Sequence, residues 1–537
     1  MTHVEYLEHV KKHLNGSLIH DNSIDLYLQA HKDICNIILN LNLDNALPIL
    51  KPTYCPIERK KTRDPLNMLR SLILMTLLKI ASITFWVLQT RSQPLLAILA
   101  GFTPDDTPGV GTYYDFMRRI INGPYQKPCP HVVKRSDLNS ALHRRNIKKE
   151  SEEKKDDFDP HNSKSAILAK KLLEDANNPR PDDFNKIVED LLFQTGILPS
   201  IQDNLLTNID NMIVVGDGST AKANASPTGK PTCSCRSEGI KNCEHPRLYS
   251  SPTAQLCYDH HHDCFVFGDR YYHLAANEDG HDYPLITIMP GGNESDYTLS
   301  LKAIDRFIKA ANENGLNINI THFCGDGHHD SYAHYQYLKQ KHIVPVIPLT
   351  HQGKKTYPRF DGIDAALDTD GTPLCPSGKR MRHHLYNKKK DLHIYTCPVK
   401  RHTHQKGKSL YTIHSDECPK KEICLPDSSL APIVYIKSET DPRYFPPIDR
   451  NSKTFKEIMN LRSASERLNS VNDSYNIDGR CRNADYGLIR LTLINIVEHA
   501  AVRHAQAVKK SSEDRLFENT MRKIGVNVPD RLTSKLA

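Results

Sequence analysis

Apolar residues in this chain recur with two different periods, and the points where one gives way to the other mark its predicted elements. Residues Met212 to Gly216 read MIVVG, a short β-branched run that stops at Asp217 with a glycine on each side. That pattern predicts a buried strand ending in an acid. Ile318 to Gly325, INITHFCG, repeats it, with Asp326 at the carboxyl end and Gly327 behind it. Between the two, Leu299, Leu301, Ile304, Phe307, Ile308 and Ala311 recur at helical spacing, so the second strand follows an amphipathic helix. Strand ends in such α/β arrangements are where ligands sit. Further on, Phe455, Ile458, Leu461, Ser465 and Leu468 also follow helical spacing, which places Glu466 on a helix with Arg462 one turn earlier.

The same reading divides the rest of the chain. Residues 1–130 are mostly helical, with SQPLLAILAG closing on a glycine and PGVGTYYDF resuming after turn signals. Residues 131–202 form a charged connection in which ESEEKKDDFDPHN has almost no apolar residue and AILAKKLLEDA has helical spacing. An α/β unit over 203–344 is interrupted by strand-like sequence over 345–449 and resumes over 450–537, ending in the helical YGLIRLTLINIVEHAAVRHAQAV. The most apolar stretch, Leu72 to Leu88, is broken by Lys79 and predicts a buried helix pair, with no membrane span. MTHVEYLEHVKKHL lacks the apolar core of a signal peptide, so the expected compartment is the cytoplasm.

Three acids at the edges of structured elements suggest a shared task. Carboxylates are hard oxygen ligands suited to Mg²⁺ or Mn²⁺, and two such ions can stabilise both the attacking and the leaving oxygen of a phosphodiester. Three converging acids without a cation would repel one another. Two structural alternatives stay open: each aspartate can be a helix cap or turn residue, and Glu466 between Arg462 and Arg467 can belong to a surface ion-pair cluster. Glu498 is a rival third acid, disfavoured because Ile494, Val497 and Ala501 make its region a packing face.

With GDGST at Asp217, CGDGHHDS at Asp326 and RSASERLNS at Glu466, the sequence resembles the DDE transposases of bacterial insertion sequences, in the branch whose RNase H-like domain carries a long β-rich insertion. The resemblance covers most of the chain. It implies an α/β RNase H-like mixed sheet flanked by helices and interrupted over 345–449, preceded by an all-helical DNA-binding domain over 1–130. It further implies a metal triad of Asp217, Asp326 and Glu466 holding two Mg²⁺ or Mn²⁺ ions. Arg462 matches the family's accompanying arginine, and Arg467 and Asp330 stand beside the motifs as further active-site or DNA-contacting groups. The implied partners are transposon terminal inverted repeats and target DNA, engaged by a homodimer, and the implied setting is the bacterial nucleoid. Family members often carry a Tyr three residues before that arginine and a Lys seven after the Glu; Met459 and Asp473 stand there instead.

Charge adds modest support: the net +8 is a mild bias toward polyanions. Locally, His143–Lys149, Lys388–Lys390 and Lys400–Lys408 concentrate cations able to neutralise phosphates, with Tyr386, Tyr395 and Tyr411 interleaved as stacking surfaces. In a reducing compartment, fourteen cysteines argue for metal binding or burial. Cys233, Cys235, Cys243 and His245 offer four soft ligands for Zn²⁺ within CSCRSEGIKNCEH. Cys375, Cys397, Cys418 and Cys424 form a looser second set, and Cys35, Cys55, Cys129, Cys264, Cys324 and Cys481 read as scattered core residues. His260–His262 with His328 and His329 leave open a zinc-dependent hydrolase or nuclease, and a transposase-derived DNA-binding protein without chemistry is the other alternative.

Overall fold

The computed structural model describes residues 1–17, 27–55, 62–123, 163–240, 243, 245, 247–249, 251–259, 263–292, 294–350, 357–399, 401–405, 408–412, 418, 433–478 and 483–526. Its strands are β1 (Met212–Lys222), β2 (Lys230–Pro231), β3 (Arg247–Leu248), β4 (Gln255–Asp259), β5 (Cys264–Glu278), β6 (His281–Ile288), β7 (Ile320–Cys324) and β8 (Val344–Val346). A later group comprises β9 (Arg382–Asn387), β10 (Leu392–Thr396), β11 (Arg401–Gln405), β12 (Lys408–Thr412) and β13 (Ile433–Lys437).

The run from Met212 does form a strand, but the expected stop at Asp217 does not occur. The antiparallel ladder to β5 continues as far as Lys222 opposite Gly268, so Ser219, Thr220 and Ala221 stay paired after the apolar residues end. What ends near Asp217 is the parallel ladder to β7, whose last pair is Val215 opposite Cys324. The main sheet runs β4-β5-β1-β7-β8, with β6 also on β5, and it is antiparallel from β6 through β1 and parallel from β1 through β8.

Helices cover both faces. α1 (His3–Ser17), α2 (Lys32–Asn40), α3 (Pro65–Leu77), α4 (Ile83–Ser92), α5 (Pro94–Leu99) and α6 (Val110–Asn122) precede the sheet, as do α7 (Lys164–Glu174) and α8 (Phe184–Leu192). The Leu72–Leu88 stretch is thus split between α3 and α4. Asp64 starts α3 by accepting the Leu66 and Asn67 amides ahead of Pro65, an arrangement suited to a first turn. α9 (Asp296–Glu313) and α10 (Tyr332–Gln340) are the parallel crossovers. α11 (Lys453–Asn460), α12 (Ser463–Ser474), α13 (Ala484–Lys510) and α14 (Glu513–Ile524) follow the β9–β13 region.

α13 packs against β6, α3 and α8, and α14 packs against α2, so one apolar cluster runs from Tyr6 to Val526 through the first helices and the sheet. A smaller cluster lies beneath α11 and α12: Ala275, Val215, Cys324 and Val346 stand in register across β5, β1, β7 and β8 and meet Phe455, Ile458, Ala464 and Leu468. A third, around Leu367, Cys375, Met381, Tyr395, Ile436 and Phe445, belongs to the sheet β13-β10-β9. No helix among the described residues is long and apolar enough to cross a membrane.

Candidate functional site

The register that lines up Val215 with Cys324 also decides where the two aspartates stand. Each lies two residues further along its strand direction, so Asp217 and Asp326 are neighbours, on adjacent chains of a parallel pair whose strands run about 5 Å apart. Asp217 projects to the α12 side, where the Asn469 amide donates to its Oδ2 at 3.2 Å and the Gly218 amide to its Oδ1 at 2.9 Å. The flanking glycines are required by what presses on the opposite face. A Cβ at Gly216 would stand 2.0 Å from the Tyr272 hydroxyl, and one at Gly218 would stand 2.1 Å from Asp296 Oδ1.

Asp296, at the start of α9, is a buried acid that the sequence reading missed; Arg270 neutralises it through Nε at 2.8 Å and Nη2 at 2.5 Å. Burial, then the charges of Asp296 and Asp326, push the Asp217 carboxyl up to about 6.

Asp326 is held differently. It caps a single turn, Gly327–His329, by accepting the His328 amide at 2.9 Å. The ring Nδ1 atoms of His328 and His329 each lie 2.8 Å from its two oxygens. Although burial opposes it, the His329 and His328 contacts hold this carboxyl well below the usual range. His329 is fully buried and its Nε2 lies 2.9 Å from the Tyr272 hydroxyl. These two histidines are therefore engaged by Asp326, while His260–His262 lie outside the described residues.

The third acid is not drawn in. The helix expected over 455–468 is broken: α11 ends at Asn460, Arg462 is the N-cap of α12, and Glu466 lies in the first turns of α12. Its side chain is 53% exposed and pairs with Arg462 at 2.5 Å. Asn469, one turn on, is the α12 residue that reaches Asp217. Arg467 binds Asp282 on β6 at 2.6 and 2.7 Å. Met459 packs against Cys324 at 3.6 Å, and Asp473 is exposed on α12. Glu498 is in the packing of α13 and receives the Tyr475 hydroxyl at 3.4 Å.

Other expected site residues are occupied structurally. The Asp330 side chain is fully buried and binds Arg443 through Nε at 2.9 Å and Nη2 at 2.8 Å, together with the amide and hydroxyl of Thr350. It therefore latches the segment after β13 to the turn behind Asp326, and is not free to meet DNA. Tyr395 is buried in the third cluster, and the half-buried Tyr386 ring packs on His393 with centroids 4.8 Å apart while its hydroxyl donates to Asp391 at 2.5 Å, so neither is a free stacking surface. Lys388–Lys390 are exposed at the β9–β10 turn. The His143–Lys149 run lies outside the described residues, as do Lys400 and the side chains of Lys408 and Tyr411.

The cysteines separate cleanly. The ligand atoms of Cys233, Cys235, Cys243 and His245 all lie within 4.8 Å of one another, an arrangement that fits a zinc ion. Burial and the adjacent Cys233 hold the Cys235 thiol up at about 11, while the Cys235 amide and Cys243 hold the Cys233 thiol below its usual value. Cys375, Cys397 and Cys418 are each buried and are not gathered in this way, and Cys424 lies outside the described residues. Cys35 and Cys324 are buried as expected, Cys55 and Cys264 are exposed, and Cys129 and Cys481 lie outside the described residues. Set against known proteins, the sequence matches no family model and no curated protein.

Proposed function

We propose that this protein is a DDE transposase, cutting DNA at the terminal inverted repeats of a mobile element and joining the freed strand to target DNA. The observation that carries the reading is the shared register of Asp217 and Asp326 on parallel neighbours, with the Glu466 helix lying on the same face. The strand order supports an RNase H-like core: β1, β5 and β6 are antiparallel, with β4 added at the β5 edge, and two parallel strands follow through α9 and α10. The β9–β13 region between β8 and α11 stands where the resemblance puts a β-rich insertion.

The donor set suits a hard cation. Two carboxylates from adjacent strands, one of them pushed up by burial, by Asp296 and then by the other's charge, are oxygen ligands whose repulsion a divalent ion relieves. Asp217 and Asp326 would hold Mg²⁺ or Mn²⁺, two ions in all, with Glu466 completing the set after leaving Arg462. Bound there, the ions supply water activation and stabilisation of the leaving oxygen. The protein's own part is positioning: Asn469 and Gly218 fix Asp217, and His328 and His329 fix Asp326. Released Arg462 and exposed Lys388–Lys390 are available to phosphates. The protein would act as a homodimer on paired ends, within the bacterial nucleoid.

One observation favours a second reading, a transposase-derived DNA-binding protein: Glu466 is tied to Arg462, and Met459 and Asp473 occupy positions where the resembled family often carries Tyr and Lys. A zinc hydrolase is disfavoured, because the four-ligand Cys/His cluster leaves no open position for water. The deciding experiment incubates the protein with DNA bearing the flanking ends of its own element and Mg²⁺, beside Asp217→Asn. Cuts at the ends by the unaltered protein alone support the transposase; binding without cuts supports the second reading; cuts by both proteins remove Asp217 from the chemistry.

A further inference from the structure

The segment between β1 and β4 leaves the sheet and returns to it through a two-rung neck. Lys230 pairs with Leu248 and Pro231 with Arg247. The neck is tight: Gly229 has a φ of +64°, and a Cβ there would stand 2.8 Å from both the Leu248 carbonyl and the Tyr249 ring, itself buried. Beyond the neck the described part of the loop is largely exposed. From Thr232 to Ile240, Cys235 alone is buried, and Ile240 is 49% exposed. Ordering each residue costs about 1–2 kcal/mol in backbone entropy, and among the described residues 232–240 none joins an apolar core that would offset it.

Yet the loop converges on one point. Cys233 Sγ lies 3.5 Å from Cys243 Sγ, and Cys235 Sγ lies 3.2 Å from His245 Nδ1. A tight turn sets up the first two ligands, with the Ser237 and Glu238 amides on the Ser234 carbonyl and the Ile240 amide on that of Cys235.

From this geometry we infer that Cys233, Cys235, Cys243 and His245, through Nδ1, bind one structural Zn²⁺ that replaces a hydrophobic core as the closure of this loop. Zn–S bonds of about 2.3 Å in a tetrahedron set sulfurs about 3.8 Å apart, close to the spacing seen. Three thiols and one imidazole are soft ligands that select zinc over the hard ions suited to Asp217 and Asp326. On binding, the three thiols lose their protons to solvent, so the closed site carries one net negative charge. A Cys233–Cys243 disulfide would need its sulfurs about 2.05 Å apart and would leave Cys235 and His245 facing each other without an ion.

The closure matters to the sheet. Past Tyr249, the Thr253 hydroxyl donates to Asp269 and receives the Ala484 amide at the start of α13. Asp269 is followed directly by Arg270, the partner of Asp296 behind Asp217.

The test uses the full-length protein, needs no DNA, and is independent of whether it cuts any. Elemental analysis after purification without added metal should find about one zinc per chain, retained by Asp217→Asn and by Cys55→Ser, and lost in Cys243→Ser. To keep the test independent of the folding of Cys243→Ser, stripped unaltered protein is also titrated: each Zn²⁺ should release about three protons, and Co²⁺ should give the intense visible bands of a tetrahedral thiolate site. Trypsin should cut at Arg236 at least several-fold faster in the stripped protein. Absence of zinc together with a Cys233–Cys243 disulfide overturns the inference, as does full zinc content in a folded Cys243→Ser.

Discussion

Replacing Asp217 by Asn should stabilise the metal-free protein at neutral pH, which is the reverse of what removing a well-placed surface charge does. The carboxyl is pushed from 3.8 to about 6, chiefly by burial and then by Asp296 and Asp326. With the folded value above the unfolded one, its contribution to stability is complete below about pH 4 and is lost as pH rises through 6. At about 1.4 kcal/mol per unit, ionising Asp217 costs the folded state roughly 3 kcal/mol at pH 8. Asn avoids that cost. Its carbonyl can keep the Gly218 amide, and although its amide meets the Asn469 amide, Asn469 Oδ1 is buried without a partner, so turning that group over provides an acceptor.

Allowing about 1 kcal/mol for the imperfect exchange leaves about 2 kcal/mol. For a chain of 537 residues the unfolding entropy is on the order of 1 kcal/mol/K, so the melting temperature should rise by about 2 °C. The assay is differential scanning calorimetry of both proteins in EDTA at pH 4.5, 6 and 8. The gain should be absent at the lowest pH and largest at the highest, and 10 mM Mg²⁺ should stabilise the unaltered protein alone. A variant less stable at pH 8, or a difference independent of pH, would refute the account of crowded carboxylates.

Other changes probe the surroundings of the same site. Gly218→Ala places a Cβ against Asp296, which Arg270 holds in place, and should cost about 1–3 kcal/mol; an unchanged melting temperature would mean the acid is free to move. Arg443→Ala strands the buried Asp330 and should cost about 3–5 kcal/mol, with Asp330→Asn added on top restoring part of the loss in a double-mutant comparison. Asn469→Ala removes a donor that favours the ionised Asp217, so the titration of that carboxyl, followed by NMR, should move further up. Glu466→Gln loses only an exposed pair worth about 0.3–0.5 kcal/mol and should leave stability within about 0.5 kcal/mol, while DNA cleavage falls at least a hundredfold if the carboxylate is a ligand.

The two strands of the candidate site were legible in the chain because they announce themselves locally. MIVVG and INITHFCG are strand-like whatever surrounds them, and a glycine on either side of Asp217 marks a close approach. What approaches was not legible. Tyr272 and Asp296 come from elements 55 and 79 residues further along the chain than Asp217, and their meeting at β1 depends on the antiparallel register of β5 and the docking of α9. For the same reason Asp330 read as an active-site or DNA-contacting companion of Asp326, when a partner more than a hundred residues away, Arg443, engages its buried side chain. The strand length failed in a related way: hydrophobicity ends at Val215, but hydrogen bonding ends at Lys222, because β5 supplies partners that pattern alone cannot reveal.

The helix break at Leu461 and Arg462 carries the most weight for function. Were α11 and α12 one helix, Arg462 and Glu466 would be locked one turn apart on a rigid rod. As an N-cap residue, Arg462 is instead at a joint between two helices whose buried faces, Phe455 and Ile458 on one and Ala464 and Leu468 on the other, both rest on the Val215–Cys324 cluster. That packing fixes the backbone beneath Glu466 while leaving its side chain outside. An exposed pair at this spacing is worth only a fraction of a kcal/mol, far less than the repulsion that a cation between Asp217 and Asp326 would relieve. Glu466 can therefore leave Arg462 at small cost, and under the proposed function the freed guanidinium would be a ready partner for a phosphate.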